Sequence, residues 1–140
     1  MSHFEIYIDG ASKGNPGQSA IGVAIYKDGK LIKSLSNYIG SATNNAAEYT
    51  ALIYALEEAL LLKAKSLVIN TDSQLLARQL NKIYKVRHEQ IKNFYERALR
   101  LCGGFEKITV NHIPREKNKL ADKLANEAIK KNRQDVAALF

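Results

Sequence analysis

The sequence predicts an α/β domain built on a mixed five-stranded sheet with helices on its faces, and three observations carry that reading. Phe4, Ile6 and Ile8 recur at a period of two, and Asp28-Gly29 separates the strand-like runs 20–26 and 30–38. A dipeptide whose residues both tolerate positive φ is a hairpin signal. Helical patterning follows in the Ala-, Leu- and Glu-rich stretch 46–62. Beyond it, Leu67-Val68-Ile69 is a short continuous apolar run, the pattern of a strand buried on both faces and parallel to a neighbour.

Taken in order, the first strand ends at Asp9 and a glycine-rich loop, Gly10 to Gly17, follows it. The hairpin runs 20–26 and 30–38 complete an antiparallel meander. Ser41-Ala42-Thr43-Asn44-Asn45 offers N-caps to the first helix. Residues 66–71 form the fourth strand, and Asp72 or Ser73 caps a helix to about Leu80. Ile91, Phe94-Tyr95 and Ala98-Leu99 place a helix over 88–102, which Gly103-Gly104 ends. Phe105, Ile108 and Val110 mark a last strand; Pro114 breaks it, and Asn118 caps a final helix through Lys131. Residues 1–132 then form the domain and 133–140 a weakly structured tail. Right-handed crossovers require the strand order 3-2-1-4-5. Asp9 and Asp72 thereby fall on adjacent parallel strands at one C-terminal edge, where functional groups collect in helix-covered sheets.

A chain of 140 residues suffices for one core, and 46% hydrophobic with 25% charged residues excludes wholesale disorder. Cys102 is the single cysteine, which rules out an internal disulfide or a CxxC zinc site and makes a reducing cytoplasm the expectation. Met1-Ser2-His3-Phe4-Glu5 has no basic or apolar leader character, and Lys63 and Lys65 interrupt the apolar stretch 59–69. Neither a signal peptide nor a membrane span is expected. The formal charge of +7 suits a polyanionic partner. The excess is local: Arg78, Lys82, Lys85, Arg87, Lys92, Arg97 and Arg100 face only Glu89 and Glu96 in the same segment.

Four acids stand where acids are costly. At 100° per residue Glu48 shares the face of Leu52, Ala55 and Ala59, whereas Glu57 points the opposite way. Asp122 likewise shares a face with Ala125 and Ile129. Each acid has an ordinary competing role: Asp9 as a turn residue, Asp72 as an N-cap, Glu48 and Asp122 as first-turn partners of helix dipoles. Four such roles at one sheet edge would have to coincide. Carboxylates converging without basic partners repel one another unless divalent metal neutralises them. All-oxygen ligation points to Mg²⁺ or Mn²⁺, and two such ions suit phosphodiester hydrolysis.

Asp9-Gly10-Ala11-Ser12-Lys13-Gly14-Asn15-Pro16-Gly17, Thr43-Asn44-Asn45-Ala46-Ala47-Glu48, Thr71-Asp72-Ser73-Gln74 and Asn118-Lys119-Leu120-Ala121-Asp122 resemble, in order and spacing, the signature segments of type 1 ribonuclease H. The resemblance runs from about Phe4 to Lys131. It implies a ribonuclease H-like fold and endonucleolytic cleavage of the RNA strand of RNA/DNA hybrids, leaving 5′-phosphate ends. It implies Asp9, Glu48, Asp72 and Asp122 as ligands of Mg²⁺ or Mn²⁺, with two ions when substrate is bound. His112, ten residues before Asp122, matches a histidine assisting proton transfer or product release. Gly10, Asn44, Asn45 and Gln74 match RNA-strand contacts, and Asn15 and Thr43 match positions near a DNA-strand phosphate. A monomer without a small-molecule cofactor is expected.

The chain departs from familiar bacterial relatives in lacking their basic, tryptophan-bearing protrusion: only 81–87 joins the middle helices, and the chain has no Trp. Lys82, Lys85 and Arg87 are candidates to replace that positive surface. Ser41 and Ala42 place no cation beside Thr43, and Ile113-Pro114 stands where a glycine often follows the histidine. A non-catalytic hybrid- or double-stranded-RNA-binding module is the competing reading, since a fold alone does not establish activity. Resolvase or transposase cores resemble the motif set less.

Overall fold

The computed structural model describes residues 2–83 and 85–139; Met1, Tyr84 and Phe140 lie outside the described residues, and with them the ends of the expected leader-free N-terminus and tail. Strand β1 (Phe4–Gly14) pairs antiparallel with β2 (Gly17–Lys27), which pairs antiparallel with β3 (Lys30–Ala42). On its other side β1 runs parallel to β4 (Ser66–Thr71), and β4 parallel to β5 (Lys107–His112). The sheet order is β3-β2-β1-β4-β5, as the crossover rule requires. Helices α1 (Asn44–Leu61), α2 (Gln74–Leu80), α3 (Glu89–Cys102) and α4 (Lys119–Ala138) complete the described elements, with a 3₁₀ turn at Arg115–Lys117. Among the described residues no helix is long and apolar enough to cross a membrane.

β5 begins at Lys107 and leaves Phe105 in the bend before it; three larger departures from expectation have physical reasons. β1 does not stop at Asp9: its ladder with β2 continues to Gly14↔Gly17, so most of the glycine-rich stretch is strand and only the tip is turn. The parallel ladder with β4, by contrast, ends at Ile8↔Thr71. Asp9 is therefore mid-strand on one side and just past the ladder on the other. β3 reaches Ala42 rather than Tyr38, its register with β2 shifting between Ser19 and Ala20, where Gly40 has φ +81°. Helix α4 continues past Lys131 to Ala138, since no Gly or Pro interrupts 119–138 and Arg133 Nε donates to Gln18 Oε1 at 3.3 Å.

The main core lies between the sheet and α1, where Ile6, Ile8, Ile21, Ile25 and Ile69 meet Tyr49, Leu52 and Leu56. Each such side chain contributes about 1.5–3 kcal/mol on burial. On the opposite face α4 packs across β1, β2 and β3, with Ala20 against Ala128 and Ile129. Two glycines set how close the helices come. A Cβ on Gly10 would lie 2.4 Å from the main-chain carbon of Ala47 and 2.5 Å from the nitrogen of Glu48, so this residue admits the first turn of α1. A Cβ on Gly22 would lie 2.0 Å from the carbonyl oxygen of Ala121 and so admits the first turn of α4. Gly22 is also the cross-strand partner of Asp9. Both helices thus deliver their leading acids, Glu48 and Asp122, beside the same point of β1.

Because the clash at Gly22 is with main chain, it cannot be relieved by a rotamer change. Gly22→Ala is expected to destabilise the protein by about 1–3 kcal/mol, measured as a lower urea midpoint at constant slope.

Candidate active site

Asp9, Glu48 and Asp72 each place a carboxylate oxygen so that these atoms lie within 4.8 Å of one another. Asp9 is 6% and Glu48 7% exposed. They open into a cavity of about 390 Å³ whose wall also includes Gly10, Asn44, Ser73 and Asp122. Two cations, Lys13 and Arg115, stand on the same wall.

Each acid is held differently. The Gly10 N–H donates to Glu48 Oε1, and Thr71 Oγ1 donates to Glu48 Oε2 at 3.5 Å. Thr71 Oγ1 in turn accepts from Ser73 N at 3.0 Å. Ser73, not Asp72, caps α2, its Oγ accepting from Leu76 N at 3.2 Å. Asp72 is thereby released from the capping role, and it accepts instead from Asn118 Nδ2 at 3.2 Å. Asp122 stands further out, its side chain 34% exposed. Asn126 Nδ2 donates to its Oδ1 at 3.1 Å, and Arg115 Nη2 lies 3.9 Å away.

The electrostatics follow from crowding. Burial pushes the Asp9 carboxyl up to about 10, aided by the charges of Glu48 and Asp72 and by hydrogen bonding of its proton to Asp122 and Glu48. Burial also raises Glu48, to about 7, against the opposing hydrogen bond from Gly10 and with the help of the Asp72 charge. A donor set of clustered carboxylate oxygens, with no cysteine or histidine, fits a hard divalent cation, which removes the repulsion that otherwise retains protons.

Of the other residues singled out in the sequence, Gly10 and Asn44 line the cavity. The space a Cβ of Gly10 would need is filled by α1, so helix packing and not only the approach of a ligand accounts for glycine here. Asn15, at the hairpin tip, accepts from Asn44 N at 3.0 Å, and Thr43 Oγ1 accepts from Ala46 N at 3.2 Å as the α1 cap. Asn45 is partly buried, its Oδ1 without a partner among the described residues. His112 ends β5 on the same sheet edge, and Gln74 opens α2; both are exposed and outside the cavity wall. Lys82, Lys85 and Arg87 are exposed between α2 and α3, also outside it. Sequence reasoning missed Lys13, Arg115, Asn126 and the true role of Asn118. Arg115 had one usable signal: a cation in the short loop leading to an acid on an apolar helix face.

Order of strands and convergence of acids together define an α/β domain with a carboxylate centre of the divalent-cation type. A family model described as "Reverse transcriptase-like" matches residues 7–128. Ribonuclease HI of Halobacterium salinarum is 42% identical over 124 residues, 88% of this chain and 62% of that protein. The crystal structure of RNase H1 from that archaeon superposes with a TM-score of 0.90 at 39% identity, covering 92% of this chain and 98% of the other. LC11-RNase H1, solved in complex with an RNA/DNA hybrid, superposes with a TM-score of 0.88 at 39% identity, again covering 92% and 98%. The bifunctional protein Rv2228c of Mycobacterium tuberculosis is 36% identical over 135 residues, 95% of this chain and 37% of that protein. The chain belongs to the type 1 ribonuclease H family. It spans about three-fifths and about a third of the lengths of these two curated relatives.

Asp9 and Glu48 hold their protons more tightly folded than unfolded, since their ordinary values are 3.8 and 4.5. By linkage, the metal-free protein loses stability as pH rises from about 4 through 7 and toward 10. In EDTA at pH 8, Asp9→Asn is therefore expected to melt about 5 °C above the wild type, with the gain shrinking as pH falls toward 4. Differential scanning calorimetry at the two pH values checks the sign; a variant that melts lower at pH 8 contradicts the crowding.

Proposed function

We propose that the chain is an endoribonuclease that hydrolyses the RNA strand of RNA/DNA hybrids with two divalent cations, Mg²⁺ or Mn²⁺, held by Asp9, Glu48, Asp72 and Asp122. The observation that carries this reading is the packing of three carboxylates within 4.8 Å, two of them nearly buried. A site that retains protons when empty exchanges them for metal on loading. The hybrid bound by LC11-RNase H1 supports the substrate class. A divalent cation held by these acids would supply Lewis-acid stabilisation of the phosphoryl oxygens and acidify the attacking water.

The chain's own residues do the rest. Asp9 and Glu48 would hold metal in their deprotonated forms, and the Gly10 N–H orients Glu48 for that role. In this reading Gly10, Asn44, Asn45 and Gln74 meet the RNA strand, where 2′-hydroxyls distinguish it from DNA. Asn15 and Thr43 serve a phosphate of the DNA strand, and His112 assists proton transfer or product release. Lys13 and Arg115 offset the acids toward an anionic substrate. Lys82, Lys85 and Arg87 extend the positive surface in place of the protrusion. Residues 1–132 act as the catalytic domain of a cytoplasmic monomer that needs no small-molecule cofactor.

Asp72→Asn is expected to lower the cleavage rate of a labelled RNA/DNA hybrid in Mg²⁺ by about 10²–10³-fold, with duplex DNA uncut by either protein. No cleavage by the wild type, or equal cleavage by the variant, sinks the reading. Replacing Lys82, Lys85 and Arg87 together with alanine is expected to weaken hybrid binding. The salt dependence of log affinity should flatten by about 0.9 for each phosphate that the variant no longer neutralises, measured by fluorescence anisotropy across a salt series.

A further inference from the structure

Asn118 immediately precedes α4, where an asparagine side chain ordinarily caps the helix, yet it makes no capping hydrogen bond. It is 1% exposed, and its Nδ2 donates in two directions: to the main-chain oxygen of Ile8 at 2.8 Å and to Oδ2 of Asp72 at 3.2 Å. Ile8 is the residue before Asp9 and the last of β1 to pair with β4. The main-chain oxygen of Asn118 accepts from the N–H of Asp122 at 3.1 Å. One buried residue therefore joins the strand that carries Asp9, the carboxylate of Asp72 and the turn that carries Asp122. The amide can face only one way, because reversal would set Oδ1 against a carbonyl oxygen and a carboxylate. Its Oδ1 is buried and has no hydrogen-bond partner among the described residues. A side chain that served only to start a helix would turn its Oδ1 to the N–H groups of the first turn, whereas this one aims its donor at Ile8 and Asp72.

Resting on the reading that the acids hold metal, we propose that Asn118 is a positioning residue of the metal centre. Its amide locks the orientation of Asp72 against β1 and leaves the other carboxylate oxygen of Asp72 free of Asn118. Glu48 receives the equivalent support from the Gly10 N–H and Thr71. A neutral donor suits this task. It orients a ligand without competing for it as a cation would.

The test titrates Mn²⁺ calorimetrically into substrate-free protein and, separately, follows hybrid cleavage against Mg²⁺ concentration. Asn118→Ala is expected to weaken Mn²⁺ binding by about 10–100-fold, the usual cost of losing an outer partner of a ligand. The Mg²⁺ needed for half-maximal cleavage should rise by a similar factor, with a smaller loss of rate at saturating Mg²⁺. Asn118→Ser, too short to span Ile8 and Asp72, is expected to do the same and decides the matter if the alanine variant does not fold. Ile129→Ala, which loosens α4 away from the acids, should lower the melting temperature and leave Mn²⁺ affinity unchanged. Unaltered Mn²⁺ affinity in the Asn118 variants, or an equal loss in Ile129→Ala, overturns the proposal. A wild type that binds Mn²⁺ without cutting hybrid, while the Asn118 variants bind it weakly, overturns the nuclease reading and leaves the positioning role standing.

Discussion

Mutual repulsion among Asp9, Glu48 and Asp72 is the constraint to which the rest of the molecule answers. Taking carboxylates out of water is costly, and crowding them compounds the cost. The chain meets it partly by retaining protons, with Asp9 raised to about 10 and Glu48 to about 7. It meets the remainder with neutral donors, namely the Gly10 N–H, the Thr71 hydroxyl and the Asn118 amide. Among the described residues Arg115 lies 3.9 Å from the outermost acid, Asp122, with its side chain 82% exposed. A buried arginine among the inner three would quiet the repulsion permanently and leave nothing for a cation to do.

That arrangement requires two helices to bring their first turns against one strand from opposite faces. Side chains at Gly10 or Gly22 would hold the helices away, since even a Cβ meets main chain there at 2.4 Å or less. The sheet supplies the complementary geometry. β1 is paired along its whole length on the β2 side, which fixes Asp9 in an extended backbone, and is released from β4 after Ile8. Asp9 thus has a rigid support on one side and an opening on the other. Asp72 emerges from the end of β4 into the same opening because Ser73 takes over the start of α2.

Periodicity was enough to read the strand order, because period-two runs, the Asp28-Gly29 turn and one doubly buried strand leave few topologies. Face arithmetic distinguished Glu48, nearly buried, from Glu57, which stands in solvent beside Arg97 at 3.6 Å. What escaped was whatever tertiary packing decided. Residues 10–14 carry no apolar alternation, so their strand character comes from β2 and not from themselves. Asn118 satisfies the local rule for a cap but spends its side chain on residues far away in sequence, and only the assembled fold reveals that. Arg115 belongs to a 3₁₀ turn with no pattern of its own. His112 does stand at a strand end on this edge, and the edge proves wider than the cavity.

The four acids are consequently not equivalent, although their motifs look alike in the sequence. Glu48 cannot move without breaking its bond to the Gly10 main chain, nor Asp72 without leaving Asn118. Asp122 accepts from the retained proton of Asp9 and is otherwise held by Asn126, one turn along its own helix, and by an exposed arginine. Contacts within one helix turn travel with it, and an exposed ion pair adds little restraint. A shift of the α4 first turn therefore moves Asp122 directly and reaches Asp72 through Asn118, whose main chain opens that turn and whose amide holds the carboxylate. The centre divides into an inner trio, of which Glu48 and Asp72 are held by main chain and buried neutral donors, and a fourth, more exposed carboxylate held chiefly from its own helix.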